Sequence, residues 1–569
     1  MLSNVKKNRE KILYIILSLF ICGIVLADCF ARKNFYNYDE VGYMGIAQFF
    51  AGNNWNSVIS KFQYYSFVYP FLISIIIHIL PDGISVYPCI LVLNCLILEG
   101  IFFLTYRVSG YICSFFSTRF RLLLSFFLTT YSSNIVFTNI IMPEILMTFL
   151  FWFGIYLIIR FYYSDSIWFG ILIGITSVLA YYTHQRMLGF VVSLTLVLAL
   201  IVFTKKKNII PFMAYLIVML FAFLFLSKIK TGIQENLWLN SKTIGNNDVS
   251  GQIDRLRYFM EHPEDVINLF FSLSGKIYYL CISSWGLFLL GIIRVIEVIK
   301  KNLNKKIFSA DFYISILLFF TLSSSLAICV FFLGTPTNET YLFYGRYNEF
   351  LLGPYMLAGI VLIMRRLKKY HCILVMLCLE ILLLISQFSL QAFCNEQSFY
   401  GLSCIGLYRY FNNDTKILNI YPAFVAVLLL TLALYLFSQY GVKIKIFVFL
   451  VISVVWIKDA ALYIDNVMIP NNLSYEQSNI IQKINNISQN NSVFFYIEEY
   501  DYLLYKLMSN IQLAMTQPLT VIDDIHKIVN NAQKKYYVYV PYRYLNNFDL
   551  ITYNVIDKDR NGFLIVMTL

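Results

Sequence analysis

Apolar runs recur along this 569-residue chain at a length suited to helices that cross a bilayer. A hydrocarbon core about 30 Å thick takes roughly 20 apolar residues in a helix. Runs of this kind fall near 12–28, 86–106, 122–141, 145–163, 167–183, 187–204, 210–227, 278–298, 312–333, 349–364, 372–391, 421–438 and 445–464. They predict an all-α polytopic membrane protein of about thirteen transmembrane helices. One further run, 67–80, has 14 residues, contains Pro70 and ends at Pro81. A run that short predicts a partly inserted or interfacial segment.

Charge selects the topology. Basic clusters lie between the runs: Lys6, Lys7, Arg9 and Lys11; Lys205 to Lys207; Lys300, Lys301, Lys305 and Lys306; Arg365, Arg366, Lys368 and Lys369; Lys443 and Lys445. If 67–80 does not cross, all of them share one face, which the positive-inside rule makes cytoplasmic. If it crosses, Arg107, Arg119 and Arg121 face outward and every later cluster is inverted. The expectation is therefore a plasma-membrane protein with a cytoplasmic N-terminus and an extracytoplasmic C-terminus. The N-terminus has the basic start and apolar run of a signal peptide but no small-residue cleavage site after it, so it reads as a retained first span. Residues 29–85, 228–277 and the tail from 465 then lie outside.

The tail differs in pattern. Val493–Ile497, Gln512–Thr516 and Tyr536–Val540 read as strands, with helical stretches near 501–510 and 521–532. Runs 551–556 and 563–568 flank the turn at 558–562 and predict a hairpin. The division expected is a membrane domain, 1–464, and a small extracytoplasmic α/β domain, 465–569.

Composition agrees: 59% of residues are hydrophobic, 13% charged, and mean hydropathy is +0.67. Soluble domains carry about 25% charged residues, so a soluble enzyme, a disordered protein and a nucleic-acid-binding domain are all excluded. The net charge of +12 is mostly the topology signal already described. Most of the 11 cysteines lie in apolar runs. Cys394 and Cys404 share one polar loop, where a disulfide and two thiols are both open readings.

Few charges remain near the span ends of the outer face. Ionisable groups at the membrane are costly and so mark candidate sites. Asp39 and Glu40 open an amphipathic helix over 39–51, directly after the first span. Consecutive helical residues point about 100° apart, so one acid can face a site while the other holds structure. The plainer reading makes Asp39 an N-cap and Glu40 a complement to the helix dipole. Glu144 follows Pro143 at another outer span end. His184 and Arg186 end the fifth span, and Tyr344, Arg346 and Tyr347 precede the tenth. Arginine offers a planar fork of donors matched to phosphate; the plainer alternative is an arginine snorkelling to headgroups. No zinc-type His/Cys cluster, phosphate-binding Gly-rich loop or Ser nucleophile elbow is present.

At these residues the chain resembles the GT-C superfamily of integral-membrane glycosyltransferases, in the branch of family-39-like enzymes, protein O-mannosyltransferases and lipid A aminoarabinose transferases. The shared features are Asp39-Glu40 with Tyr43 and Ala47, the Pro-containing segment Tyr69 to Leu72, Glu144, the span with Gly170 and Gly174 that ends at Arg186, and Arg346-Tyr347 with Pro354 downstream. They cover roughly residues 10–365. The resemblance implies transfer of a sugar from a polyprenyl-phosphate carrier to a glycan, lipid or protein acceptor on the outer face, with inversion. In that reading Asp39 is the general base, with Glu40 and Glu144 as further catalytic acids. Arg186, Arg346, Tyr347 and Lys61 contact donor phosphate. Tyr43, Tyr344 and His184 contact sugar or acceptor. A divalent metal, if used, falls to Asp39, Glu144 and His184. A flippase for a lipid-linked sugar, or a polysaccharide polymerase or ligase using a polyprenyl-diphosphate donor, stands as the alternative.

Overall fold

The computed structural model describes residues 2–27, 29, 35–60, 62–80, 86–238, 257–334, 338–365, 367–394, 401–412, 417–418, 420–439, 441–468, 483–484, 486–487, 492–498, 504, 507–508, 511–512, 519–523, 535–547, 554–558 and 562–568. The first half contains α1 (Leu2–Leu26), α2 (Tyr38–Phe50), α3 (Asn56–Ile59), α4 (Val68–Ile79), α5 (Val86–Ile112), α6 (Thr118–Thr129), α7 (Ser132–Thr138), α8 (Glu144–Tyr163), α9 (Ile167–Thr183), α10 (Leu188–Lys205) and α11 (Ile210–Leu237). After these come α12 (Val266–Ser283), α13 (Leu287–Lys305), α14 (Ala310–Leu333), α15 (Glu339–Phe343), α16 (Leu352–Met364), α17 (Lys369–Phe393), α18 (Ile420–Ser438) and α19 (Val442–Tyr463).

Among the described residues, eight helices are long and apolar enough to cross a membrane, or nine if the pair α6–α7, bent by 63°, is one span. The segments α9 and Glu349–Met364, counted in the sequence as spans, are apolar but shorter. Run 67–80 becomes α4, also a short apolar helix. Phe71, Ile75 and Ile79 are exposed along one face of this helix.

The eighth expected span, 278–298, is corrected. The chain breaks there: α12 ends at Ser283 and α13 begins at Leu287. Trp285 (φ 55°) and Gly286 (φ 79°) are left-handed. The Gly286 N–H reaches back to the Cys281 carbonyl at 2.8 Å, the closing bond of a Schellman-type end. Ser284 Oγ then accepts the Phe288 N–H at 3.1 Å and starts the next helix. Phe271 of α12 packs on Phe388 near the end of α17, whereas Glu297 of α13 meets His371 near its start. The two helices therefore run in succession down α17, with α12 starting well before the expected span.

Gly170 and Gly174 set the approach of α9 to α11. A Cβ on Gly170 would fall 1.9 Å from the Pro211 carbonyl oxygen, and one on Gly174 would fall 3.0 Å from that of Tyr215. Small residues let helices close where no water drives them together.

The tail folds into a five-stranded sheet of β1 (Val493–Tyr496), β2 (Thr520–Ile522), β3 (Lys535–Pro541), β4 (Asn554–Lys558) and β5 (Gly562–Thr568), ordered β2-β1-β3-β5-β4. β1 pairs in parallel with β2 and β3, and β5 is antiparallel to β3 and β4. Of the strand expected over 512–516, all but Gln512 lies outside the described residues; Gln512 is helical and its amide oxygen accepts the Leu519 N–H. The start of the expected helix 521–532 is corrected to the end of β2, which pairs with β1, and its remainder from 524 and the turn of the hairpin lie outside the described residues. Ser57 of α3 donates to the Leu519 carbonyl, so the sheet rests on the segment that follows α2. All 11 cysteines are thiols, and Cys404 Sγ donates to the Phe343 carbonyl at 3.5 Å.

Candidate active site

The first turn of α2 separates the two adjacent acids. Asn37 is the N-cap, not Asp39. Glu40 folds back under the helix start. One of its oxygens accepts the Tyr36 and Asn37 N–H groups, both at 2.7 Å. The other accepts the Tyr87 hydroxyl at 2.6 Å and the Ile141 N–H at 2.9 Å. Burial pushes this carboxyl above its ordinary value, and the donors pull it back. Glu40 is fully buried and engaged, and it ties α2 to α5 and to the chain before α8. Glu40→Gln turns two of the four incoming donors against an amide NH₂. Each unsatisfied buried group costs about 1–3 kcal/mol, so the variant's thermal midpoint should fall well below wild type; equal midpoints would contradict this role.

Asp39, one residue earlier, points the other way. Its Oδ1 accepts the Tyr65 hydroxyl at 2.8 Å, and its Oδ2 pairs with Arg346 Nη1 at 2.8 Å. Burial and the neighbouring Asp39 raise the Tyr65 pKa well above normal, so Tyr65 stays protonated and donates. Arg346 also reaches Glu144 Oε1 through Nε at 2.6 Å, and Arg186 Nη2 meets the same oxygen at 3.1 Å. Two acids and two guanidinium groups thus alternate in one chain, Asp39–Arg346–Glu144–Arg186. Arg346, Glu144 and Arg186 are each about 5% exposed, and Asp39 is 27% exposed. Only Asp39 presents a carboxylate to solvent.

That solvent is a cavity of about 760 Å³. Asp39, Tyr43, His184, Arg186, Tyr344, Arg346 and Tyr347 line it. Ile328, Phe331 and Phe332 of α14 give it an apolar flank. Glu144 does not line it and holds both arginines from behind. Lys61 lies outside the described residues. His184 Nδ1 accepts the Arg186 N–H at 3.3 Å, which leaves that nitrogen without a proton. The Arg186 guanidinium covers the Tyr347 ring, 4.6 Å from its centroid.

The loop carrying Tyr344 to Tyr347 is held by residues that sequence reasoning missed. A Cβ on Gly345 would fall 1.7 Å from the Tyr279 ring. The Gly345 and Arg346 N–H groups both donate to the Ser403 carbonyl, at 2.9 and 3.1 Å. The Tyr279 hydroxyl donates to Glu349 and accepts the Gly406 N–H at 3.1 Å. Gly345→Ala should therefore displace Arg346 and cut turnover by about tenfold or more, since misplacing a catalytic group by about 1 Å costs up to about 10²-fold. Unchanged steady-state rates would refute this.

A divalent ion does not fit this arrangement. The Arg346 guanidinium lies between Asp39 and Glu144, where a second cation would be repelled. Among the described residues, no three His, Cys, Asp or Glu side chains converge to hold a metal.

The bundle, the short helix α4 and the sheet over the first loop make up a fold shared with solved structures of very different sequence. The chain superposes on the ArnT of Cupriavidus metallidurans bound to undecaprenyl phosphate with a TM-score of 0.53, at 11% identity, covering 98% of this chain and 97% of that one. The apo state of the same protein gives 0.53 at 12% identity, covering 97% of each chain. No family model and no curated protein matches.

Proposed function

We propose that this protein transfers a sugar from a polyprenyl-phosphate carrier to an acceptor hydroxyl at the outer face of the membrane. The observation that carries this reading is the partly exposed acid, Asp39, held by an arginine at the rim of a cavity with one apolar flank. The structural neighbour supports it, because that ArnT is bound to undecaprenyl phosphate. In this reading residues 1–464 form the catalytic domain, and the tail, 465–569, lies over its extracytoplasmic end.

The acceptor oxygen attacks the anomeric carbon opposite the phosphate. Asp39 takes the hydroxyl proton. The bond from the anomeric carbon to the phosphate oxygen breaks, its electron pair leaves with the polyprenyl phosphate, and the anomeric centre inverts. Negative charge grows on the phosphate as it departs. Arg346 and Arg186 face that charge in a largely dehydrated site, where fixed positive groups stabilise it most. The apolar flank on α14 takes the first isoprene units. Tyr43, Tyr344 and His184 lie where sugar or acceptor hydroxyls would be held, and Glu144 keeps both guanidinium groups aimed.

The test is reconstitution of purified protein with polyprenyl-phosphate sugars, followed by mass spectrometry for transfer or donor hydrolysis. Release of polyprenyl phosphate that requires the protein supports the reading. Movement of intact donor between leaflets with no cleavage would replace it with transport.

A further inference from the structure

The proposed transferase leaves the nature of its sugar open, and the polar wall of the cavity bears on that question. We propose that the site selects an uncharged sugar and that Gln63 and Gln185 are the side chains that read it. This inference rests on the transferase reading.

The charges facing the cavity are already committed. Among its described lining residues, Asp39 is the one carboxylate, and both of its oxygens are engaged by Tyr65 and Arg346. A sugar carrying an ammonium group would meet Arg346 and Arg186 before it met a carboxylate to pair with. Aromatic faces are the other natural receptor for an ammonium group, and two of those lining the cavity already carry a cation. Arg186 covers Tyr347, and Lys230 Nζ lies 5.4 Å over the Tyr64 ring. A sugar carboxylate, for its part, would compete with the donor's own phosphate for the same two arginines.

Among the described residues, the remaining polar wall is neutral. Gln63 and Ser66 come from the segment between α3 and α4, and Gln185 comes from the turn between α9 and α10. A side-chain amide offers both a donor and an acceptor. A sugar hydroxyl is also both, so amides match hydroxyls and gain nothing from a charge. The tyrosines of this wall supply flat faces for the C–H side of a pyranose and hydroxyls for its rim.

The experiment gives the purified protein four polyprenyl-phosphate donors, bearing a hexose, an N-acetylhexosamine, a cationic amino-pentose and an anionic hexuronic acid. The readout is the ratio of kcat/KM between donors within one preparation, which is independent of how much protein is active. Wild type should favour a neutral donor over both charged ones by tenfold or more. Gln185→Glu places a carboxylate in the same volume and should move the ratio of amino-pentose to hexose upward by at least tenfold. Gln63→Glu serves as the second variant should the first fail to fold. A wild-type preference for the amino-pentose or the uronic acid would overturn the inference while leaving the transferase reading standing. Ratios unmoved in both variants would remove Gln63 and Gln185 as the reading residues. No cleavage of any of the four donors would overturn the transferase reading and this inference with it.

Discussion

Asp39→Asn should abolish sugar transfer while leaving the protein folded and able to bind its donor. A positioned general base contributes about 10²- to 10⁴-fold, or roughly 3–5 kcal/mol of barrier. The amide keeps one acceptor oxygen for Tyr65 or Arg346, so the fold around α2 should hold. It cannot take a proton from the acceptor hydroxyl. The measurement is transfer rate against donor binding in the same preparation. Binding within about threefold of wild type, with transfer reduced at least about 100-fold, is the expected pair. Equal rates for the two proteins would remove Asp39 from the chemistry.

Arg346→Lys should be nearly as damaging, although it conserves charge. The guanidinium spans two acids at once, with Nη1 on Asp39 at 2.8 Å and Nε on Glu144 at 2.6 Å. A lysine ammonium is a compact point charge without that fork. It can satisfy one carboxylate and must leave the other exposed to Arg186 alone or to none. Removing one fixed donor from a developing anion costs about 10²- to 10³-fold in turnover. Loss of at least about 100-fold in kcat, with a smaller change in KM, is expected. A rate within about threefold of wild type would show that charge alone suffices and that the bridge is not needed, since uniform binding changes act on KM instead.

The same bridge explains why these two acids sit in different roles. Adjacent carboxylates in one helical turn cannot share an environment. Glu40 turns back onto the N–H groups of Tyr36 and Asn37 and onto Tyr87 and Ile141. Asp39 is left with one hydroxyl, one guanidinium and open solvent. The pattern Asp-Glu therefore encodes one acid that fixes the helix and one that faces the cavity. Nothing in the two letters says which is which, because the partners of Glu40 come from α5 and from the residues ahead of α8.

The chain by itself determined the class of protein. Apolar runs at bilayer length, and few charges elsewhere, require helices that satisfy their own backbone groups in lipid. It also marked Asp39, His184, Arg186 and Arg346 of the cavity wall, which stand out because ionisable groups at apolar span ends are costly. Local pattern could not show the break at Ser284 to Gly286. That turn lies inside a longer apolar run, and it is fixed by a left-handed pair whose N–H groups reach back to the Ile282 and Cys281 carbonyls. Nor could it show β2 at Thr520–Ile522, a strand selected by pairing with β1. The tertiary structure alone decided that Glu144 stands behind the arginines, that Tyr279 holds the loop at Gly345, and that Tyr65 donates to Asp39. Those partners lie 26 to 202 residues apart in sequence, and helix packing brings them together. Spacing along a chain reports which faces are apolar; which charged groups meet depends on how those faces close against one another.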